Sequence, residues 1–199
     1  MSISLTQSPS PSSTISTGAF MTYNQGQIVG YDMKGRTFGG FIQKKIPFGE
    51  SFLGLAASTS SGRIRGVTNT LITIPIIPNV LSVPVNIPLD FSMGVISKGL
   101  LQLGTNFGMD NVDGKKITLS PYIEAGLVLT DANVNLVTTD KFYPFVPGYT
   151  VGAGFDFTLG DNLSMKVGYN FSESPNKEPT LKKKIFTLND YIVGWSYQF

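Results

Sequence analysis

From Tyr149 to Phe171 the sequence alternates in a way that leaves few folds open. In YTVGAGFDFTL the odd positions carry Tyr149, Val151, Ala153, Phe155, Phe157 and Leu159, and the even ones Thr150, Gly152, Gly154, Asp156 and Thr158. After Gly160-Asp161-Asn162, LSMKVGYNF repeats the pattern, with Leu163, Met165, Val167, Tyr169 and Phe171 against Ser164, Lys166, Gly168 and Asn170. A period of two means extended strands. The Gly-Asp-Asn run between them is a turn signal, so the segment reads as a hairpin with a three-residue loop. With Leu159 opposite Leu163, Asp156 falls opposite Lys166 on the polar face. Two readings follow: an interior ion pair, or two charges that face water.

The chain ends on the same alternation. In KIFTLNDYIVGWSYQF one face holds Tyr191, Val193, Trp195, Tyr197 and Phe199, and the other Gly194, Ser196 and Gln198 with Asp190 above them. A soluble sheet usually carries Lys and Glu on its wet side. Here charged residues are only 14% of the chain, against about 25% in ordinary globular domains, and there are 22 Gly, 14 Phe and 8 Tyr. Bulky residues on one face and small or polar ones on the other suit a barrel in lipid, with the bulky face outward and a narrow lumen inside. A soluble lipocalin-like barrel with a ligand inside is disfavoured by the glycine-rich second face and the terminal Phe.

Further upstream, TLSPYIEAGLVLT places Ile117, Leu119, Ile123, Ala125, Leu127 and Leu129 on one face, and Tyr122, Glu124 and Gly126 on the other. SFLGLAASTS sets Leu53, Leu55 and Ala57 against Phe52, Gly54 and Ala56. A strand over Arg36–Ile46, a first strand over Thr14–Asn24 and one within Asp90–Phe107 complete the count. Phe38 and Phe41 have opposite parity, so the faces of Lys44, Lys45 and Arg36 stay open. The expectation is an all-β, closed antiparallel transmembrane β-barrel of eight strands over residues 14–199. Extra strands in Gln25–Met33 or in 83–107 would make ten. Residues 1–13 read as a disordered Ser/Pro-rich tail. The first twenty residues lack a basic n-region and an apolar h-region, so no signal peptide is visible.

The final Tyr191, Val193, Trp195, Tyr197 and Phe199 resemble the C-terminal signal of bacterial outer-membrane β-barrels. Pro121–Gly126, Gly152–Leu159 and the turn Gly160–Leu163 resemble parts of the small OmpA-, OmpX- and OmpW-like barrels. The likeness is good over Pro121–Phe199 and only a matter of pattern before it. It implies a monomeric barrel of a Gram-negative outer membrane, with short periplasmic turns and long external loops. It implies outer-membrane lipid as surroundings and the barrel-assembly machinery as a partner in biogenesis. The barrel enzymes of that membrane (the lipid A deacylase and palmitoyltransferase, the phospholipase and the omptins) depend on histidine.

This chain has no His and no Cys, which removes the commonest general base and all thiol chemistry. No catalytic residue, metal site or cofactor is expected, and no basic stripe suggests nucleic acid at a net charge of +2. Glu124, Asp156 and Asp190 are expected to face the lumen and pair with lysines such as Lys166.

Two features remain. LITIPIIPNVLSVPVNIPL, residues 71–89, has no charge and the length of a membrane helix, but its four prolines exclude one. It reads as an apolar external connection between the third and fourth strands, with Val83–Leu89 entering the fourth, or as a hairpin extended past the membrane. An apolar entrance there, formed by Leu71, Ile74, Ile76, Ile77, Val80 and Leu81, would suit porin-like transport of small hydrophobic molecules. Lys182, Lys183 and Lys184, with Lys177 nearby, either contact lipopolysaccharide phosphates or form a solvated loop. The function expected is therefore a non-enzymatic structural or surface-interaction role, or a passage for hydrophobic molecules.

Overall fold

The computed structural model describes residues 13–77, 81–109, 117–136, 139–160, 162–177 and 182–199, with side chains given for all but 69–77, 81–89, 109, 135, 136 and 139–141. The strands are β1 (Thr14–Ile28), β2 (Tyr31–Phe48), β3 (Ser51–Ile77), β4 (Leu81–Thr105), β5 (Phe107–Met109), β6 (Ile117–Leu136), β7 (Thr139–Leu159), β8 (Leu163–Glu173) and β9 (Phe186–Gln198). They form one antiparallel sheet in the order β4-β3-β2-β1-β9-β8-β7-β6-β5, and β4 also pairs with β6. Strand β5 continues β4 past Asn106 and adds three pairs to β6, so the closed wall has eight staves. The seam between β1 and β9 runs from Ser16 opposite Gln198 to Ile28 opposite Phe186. Closure leaves no edge, which hydrocarbon would penalise by several kcal/mol for each unpaired backbone group.

The strands run further than their alternation suggests. Strand β1 continues to Ile28 and turns back through Val29 and Gly30, both at positive φ. That leaves no room for a strand of its own in Gln25–Met33, and 83–107 is occupied by β4. The hairpin over Tyr149–Phe171 has the expected register, with Leu159 opposite Leu163 and Asp156 opposite Lys166.

One end of the barrel holds the termini and the turns at Gly49 and Gly160. At the other end two hairpins overrun the rim. The pairing of β2 with β3 stops at Lys34–Arg65, whereas β3 pairs with β4 as far as Ile77–Leu81. Residues 71–77 and 81–89 are thus the arms of a two-stranded ribbon. This corrects the reading of 71–89 as a connection and selects the extended hairpin. A ribbon has a free edge on both sides, so it tolerates Pro75, Pro84 and Pro88, which a central strand would not.

Side chains alternate across the wall. In β2, Phe38 points outward at 64% exposure and Phe41 inward at 9%. The ambiguity of parity therefore resolves with Lys45 inward and Lys44 and Arg36 outward. Strand β4 breaks the alternation. Its inward residues are Ile96, Leu100 and Gln102 below a bulge and Phe91 and Met93 above it. The bulge is held by Asp131, whose Oδ1 accepts from the amides of Gly94 at 2.7 Å and Val95 at 2.9 Å. Such a bulge re-aims side chains, and here it shifts the inward set by one residue.

The interior has two layers. Around mid-barrel it is polar. Toward the end with the long hairpins it becomes an apolar core that includes Ile28, Met33, Ile64, Phe91, Met93, Val128, Phe186 and Leu188. Tyr31 stacks on Phe91 with ring centroids 4.6 Å apart. The narrow polar lumen expected from the alternation is found around mid-barrel, under an apolar cap that the alternation did not show. Truncating a fully packed aromatic should be costly, so Phe186→Ala should lower stability by about 3–5 kcal/mol in urea unfolding from lipid vesicles. An unchanged midpoint would mean that the cap is not packed.

Candidate functional site

The polar layer is where the fold gathers buried ionisable groups among the described residues. Lys45, Lys98 and Lys166 point inward from β2, β4 and β8, and Glu124, Asp156 and Asp190 from β6, β7 and β9. Three positive charges meet three negative ones. Lys45 Nζ donates to Asp156 Oδ2 at 2.7 Å, Lys98 pairs with Asp190, and Lys166 Nζ lies 3.8 Å from Glu124 Oε2. In the ring of eight, β2 stands opposite β7 and β4 opposite β9. Two of the three pairs therefore span the barrel from wall to wall.

The expected bond between Asp156 and Lys166 is not made, although the two are register partners. In an open sheet the cross-strand neighbour would be the natural partner. In a narrow barrel the walls converge, and a lysine from the far side reaches the carboxylate. Lys45 is 111 residues away in sequence. Lys166 turns instead toward Glu124, with its ammonium over the rings of Tyr122 at 4.5 Å and Phe41 at 5.6 Å. Lys45 likewise sits over Phe52 at 4.6 Å. These contacts compensate part of the desolvation that buried charges suffer.

Neutral groups tie the layer together. Gln43 Nε2 donates to Gln102 Oε1 at 2.5 Å, and Gln102 Nε2 donates to Glu124 Oε2 at 2.6 Å. Thr22 and Thr37 share a 2.6 Å hydroxyl contact, and Thr37 donates to Ser60 at 3.2 Å. A small cavity of about 40 Å³ lies among them, lined in part by Asn24, Lys98, Glu124, Asn170 and Asp190. It has room for about three waters. The amide of Asn170 and Oδ1 of Asp190 have no hydrogen-bond partner among the described protein atoms.

The other expected sites fall on the surface. Tyr191, Val193, Trp195, Tyr197 and Phe199 all face outward from β9 and are exposed. The Phe199 amide donates to Ile15 O at 2.8 Å. Lys177, Lys182, Lys183 and Lys184 are exposed between β8 and β9. Lys184 is paired with Glu173, and Lys183 lies 5.8 Å from the Tyr31 ring centroid. The side chains of Leu71, Ile74, Ile76, Ile77 and Leu81, and Val80 altogether, lie outside the described residues. Lys45 and Lys98 complete the lumen network. Lys98 gave no sequence signal because large apolar residues fall on both faces of its strand, Ile96 and Leu100 inward and Leu101 and Leu103 outward.

No protein-family model matches the chain. A stretch of 84 residues, 40% of the chain, is 32% identical to the 25 kDa outer-membrane immunogenic protein of Brucella melitensis, and spans 38% of the length of that relative. Neisserial surface protein A is similar in structure over 93% of this chain and 97% of its own, at 16% identity and a TM-score of 0.51. Ail, the attachment invasion locus protein of Yersinia pestis, matches over 94% and 97% at 15% identity and a TM-score of 0.49. The likeness to Neisserial surface protein A is one of fold.

The network makes two measurable statements. Asp190→Ala leaves Lys98 buried and unpaired and should destabilise by about 3–5 kcal/mol in vesicle-based unfolding, while Lys98→Met with Asp190→Leu should recover most of that loss. In double-mutant cycles, the coupling of Asp156 to Lys45 should exceed its coupling to Lys166 by about 1 kcal/mol or more. Equal couplings would contradict the partner exchange.

Proposed function

We propose that this chain, an integral β-barrel of the bacterial outer membrane, is a closed and non-enzymatic scaffold that acts through its outer surface. The observation that carries the reading is the pair of ion bridges across the lumen, Lys45–Asp156 and Lys98–Asp190, under the apolar cap. An ion crossing the barrel would have to break buried pairs and then pass an apolar core. Each step is costly in a low-dielectric interior. A barrel closed in this way presents its surroundings with only its outer wall and its long hairpins.

The barrel-assembly machinery is the expected reader of Tyr191, Val193, Trp195, Tyr197 and Phe199. The exposed row that these residues form on the last strand supports that role. The absence of histidine from the sequence supports a non-catalytic role, since the barrel enzymes of that membrane depend on it.

Planar-bilayer recording with the reconstituted chain should give no steady conductance above the lipid background, and liposomes carrying it should take up small apolar solutes no faster than empty ones. A steady single-channel current would overturn the closed reading. Faster uptake of apolar solutes without current would favour the hydrophobic passage.

A further inference from the structure

We infer that Lys34, Arg36, Arg63 and Arg65 form a site on the outer wall of the barrel for the phosphate groups of a sugar-headed lipid in the outer leaflet. The inference rests on the membrane-embedded reading and concerns residues outside the lumen network.

Its basis is a register. Arg36 stands opposite Arg63, and Lys34 opposite Arg65, on adjacent strands. All four side chains are outward and exposed. Like charges placed directly opposite one another destabilise a sheet, and none of the four has an ion-pair partner among the described residues. Carboxylates near the patch are few: on β4, Asp90 is outward and exposed diagonally across from Arg65, whose register partner is Ser92, and forms no ion pair among the described residues. Asp32, the next outward residue on β2, accepts from Gln27 Nε2 at 2.8 Å, and Asp131 holds the β4 bulge. The outward neighbours on β1, Tyr23 and Gln25, carry no charge. Four cations in two facing pairs, with Asp90 as the one unengaged carboxylate beside them among the described residues, keep a net positive charge that suits an external anion.

Depth says which anion. Below the patch the outward row of β2 runs Phe38, Gly40, Ile42, Lys44, Ile46 and Phe48, and that of β3 runs Thr59, Ala57, Leu55 and Leu53. The single charge, Lys44, lies four residues from Phe48, near enough to the end with the termini for its long side chain to reach that interface. From Phe48, beside the Gly49 turn, to Arg36 the strand covers about 40 Å at a rise of about 3.3 Å per residue. A tilt of about 40° leaves roughly 30 Å along the membrane normal, the thickness of the hydrocarbon core. Tyr23, the β1 partner of Arg36, belongs to an aromatic row with Tyr191 and Tyr169, at centroid spacings of 6.3 and 5.4 Å. Such rows mark an interface. The cations thus lie where headgroup phosphates lie, at the end away from the termini. Three of the four are arginines, whose planar fork matches phosphate bidentately. The site is a wall and not an enclosing pocket. A lipid whose chains lie on the apolar rows below would gain from both contacts, whereas a free anion would gain from one. Lys182–Lys184 are less suited, since Lys184 is held by Glu173.

The test reconstitutes the full chain in phosphatidylethanolamine vesicles containing one of three additions. These are an acylated glucosamine disaccharide with two phosphomonoesters, the same lipid stripped of phosphate, and phosphatidylglycerol. Lipid retained after detergent extraction is counted by native mass spectrometry. The phosphorylated disaccharide should be retained about tenfold more than the stripped one and more than phosphatidylglycerol. Arg36→Gln with Arg63→Gln should weaken retention about thirtyfold, and Lys182→Gln with Lys183→Gln should leave it unchanged. Excess inorganic phosphate should not displace the lipid. In the wild type, added NaCl should release the phosphorylated lipid and leave the stripped one as it was, a readout that does not depend on a variant folding. Equal retention of the stripped lipid, full retention by the arginine variant, loss confined to the Lys182/Lys183 variant, displacement by inorganic phosphate or indifference to salt would each overturn the site. Failure of the wild type to enter any vesicle would overturn the membrane reading itself.

Discussion

Backbone polar groups cannot be left unpaired in hydrocarbon, and the seam between β1 and β9 is where this chain meets that demand. The thirteen residues of β9 and the first strand exchange partners from Ser16–Gln198 to Ile28–Phe186, and the Phe199 amide reaches Ile15 beyond them. Without the seam the sheet would have two open edges in lipid. With it, the sheet becomes a ring of eight narrow enough for side chains from opposite walls to touch. Wall-to-wall pairing, the apolar cap and the division into lipid-facing and lumen-facing rows all follow from closure.

The two layers of the interior solve the same problem by different means. Toward the far end the inward residues are apolar and pack as an ordinary core. At mid-barrel they are charged, and the charges balance three against three. Buried ion pairs contribute less to stability than packed hydrocarbon of the same volume. Their clearer consequence is specificity, because a lysine that must find a carboxylate on the opposite wall fixes how the two walls face each other. Lys98 and Asp190, 92 residues apart, do this for β4 and β9.

The outer wall follows a different rule. Bulky residues face lipid along the staves, aromatic side chains gather near the strand ends, and cations cluster where the apolar rows stop, with Lys44 the exception on β2. Arg36 and Arg63 are the next outward residues beyond Phe38 and Ser61 in the direction away from the termini. The same alternation that makes a strand lipid-compatible thus also delivers polar chemistry at a set depth. A surface role needs no more than this wall and the ribbon of β3 and β4, whose arms run well past the rim.

Much of this was legible in the residues. Strict alternation over Tyr149–Phe171 and Tyr191–Phe199 specified strands, their faces and the Leu159–Leu163 register, because side-chain direction in a strand has a period of two whatever surrounds it. The prolines of 71–89 excluded a helix for equally local reasons. Three things were not legible. The parity of Phe38 and Phe41 could not say which face of β2 was inward, since an eight-stranded lumen accepts an occasional aromatic. The bulge at Gly94 hid the inward set of β4, because it depends on the Asp131 carboxylate of a neighbouring strand. The partners of Asp156 and Lys166 could not be read from register, because register describes adjacent strands and the pairs cross the ring. What the sequence determined by itself was therefore local: strands, faces and turns. Which charge meets which was decided only when the sheet closed and brought its opposite walls within reach of a lysine side chain.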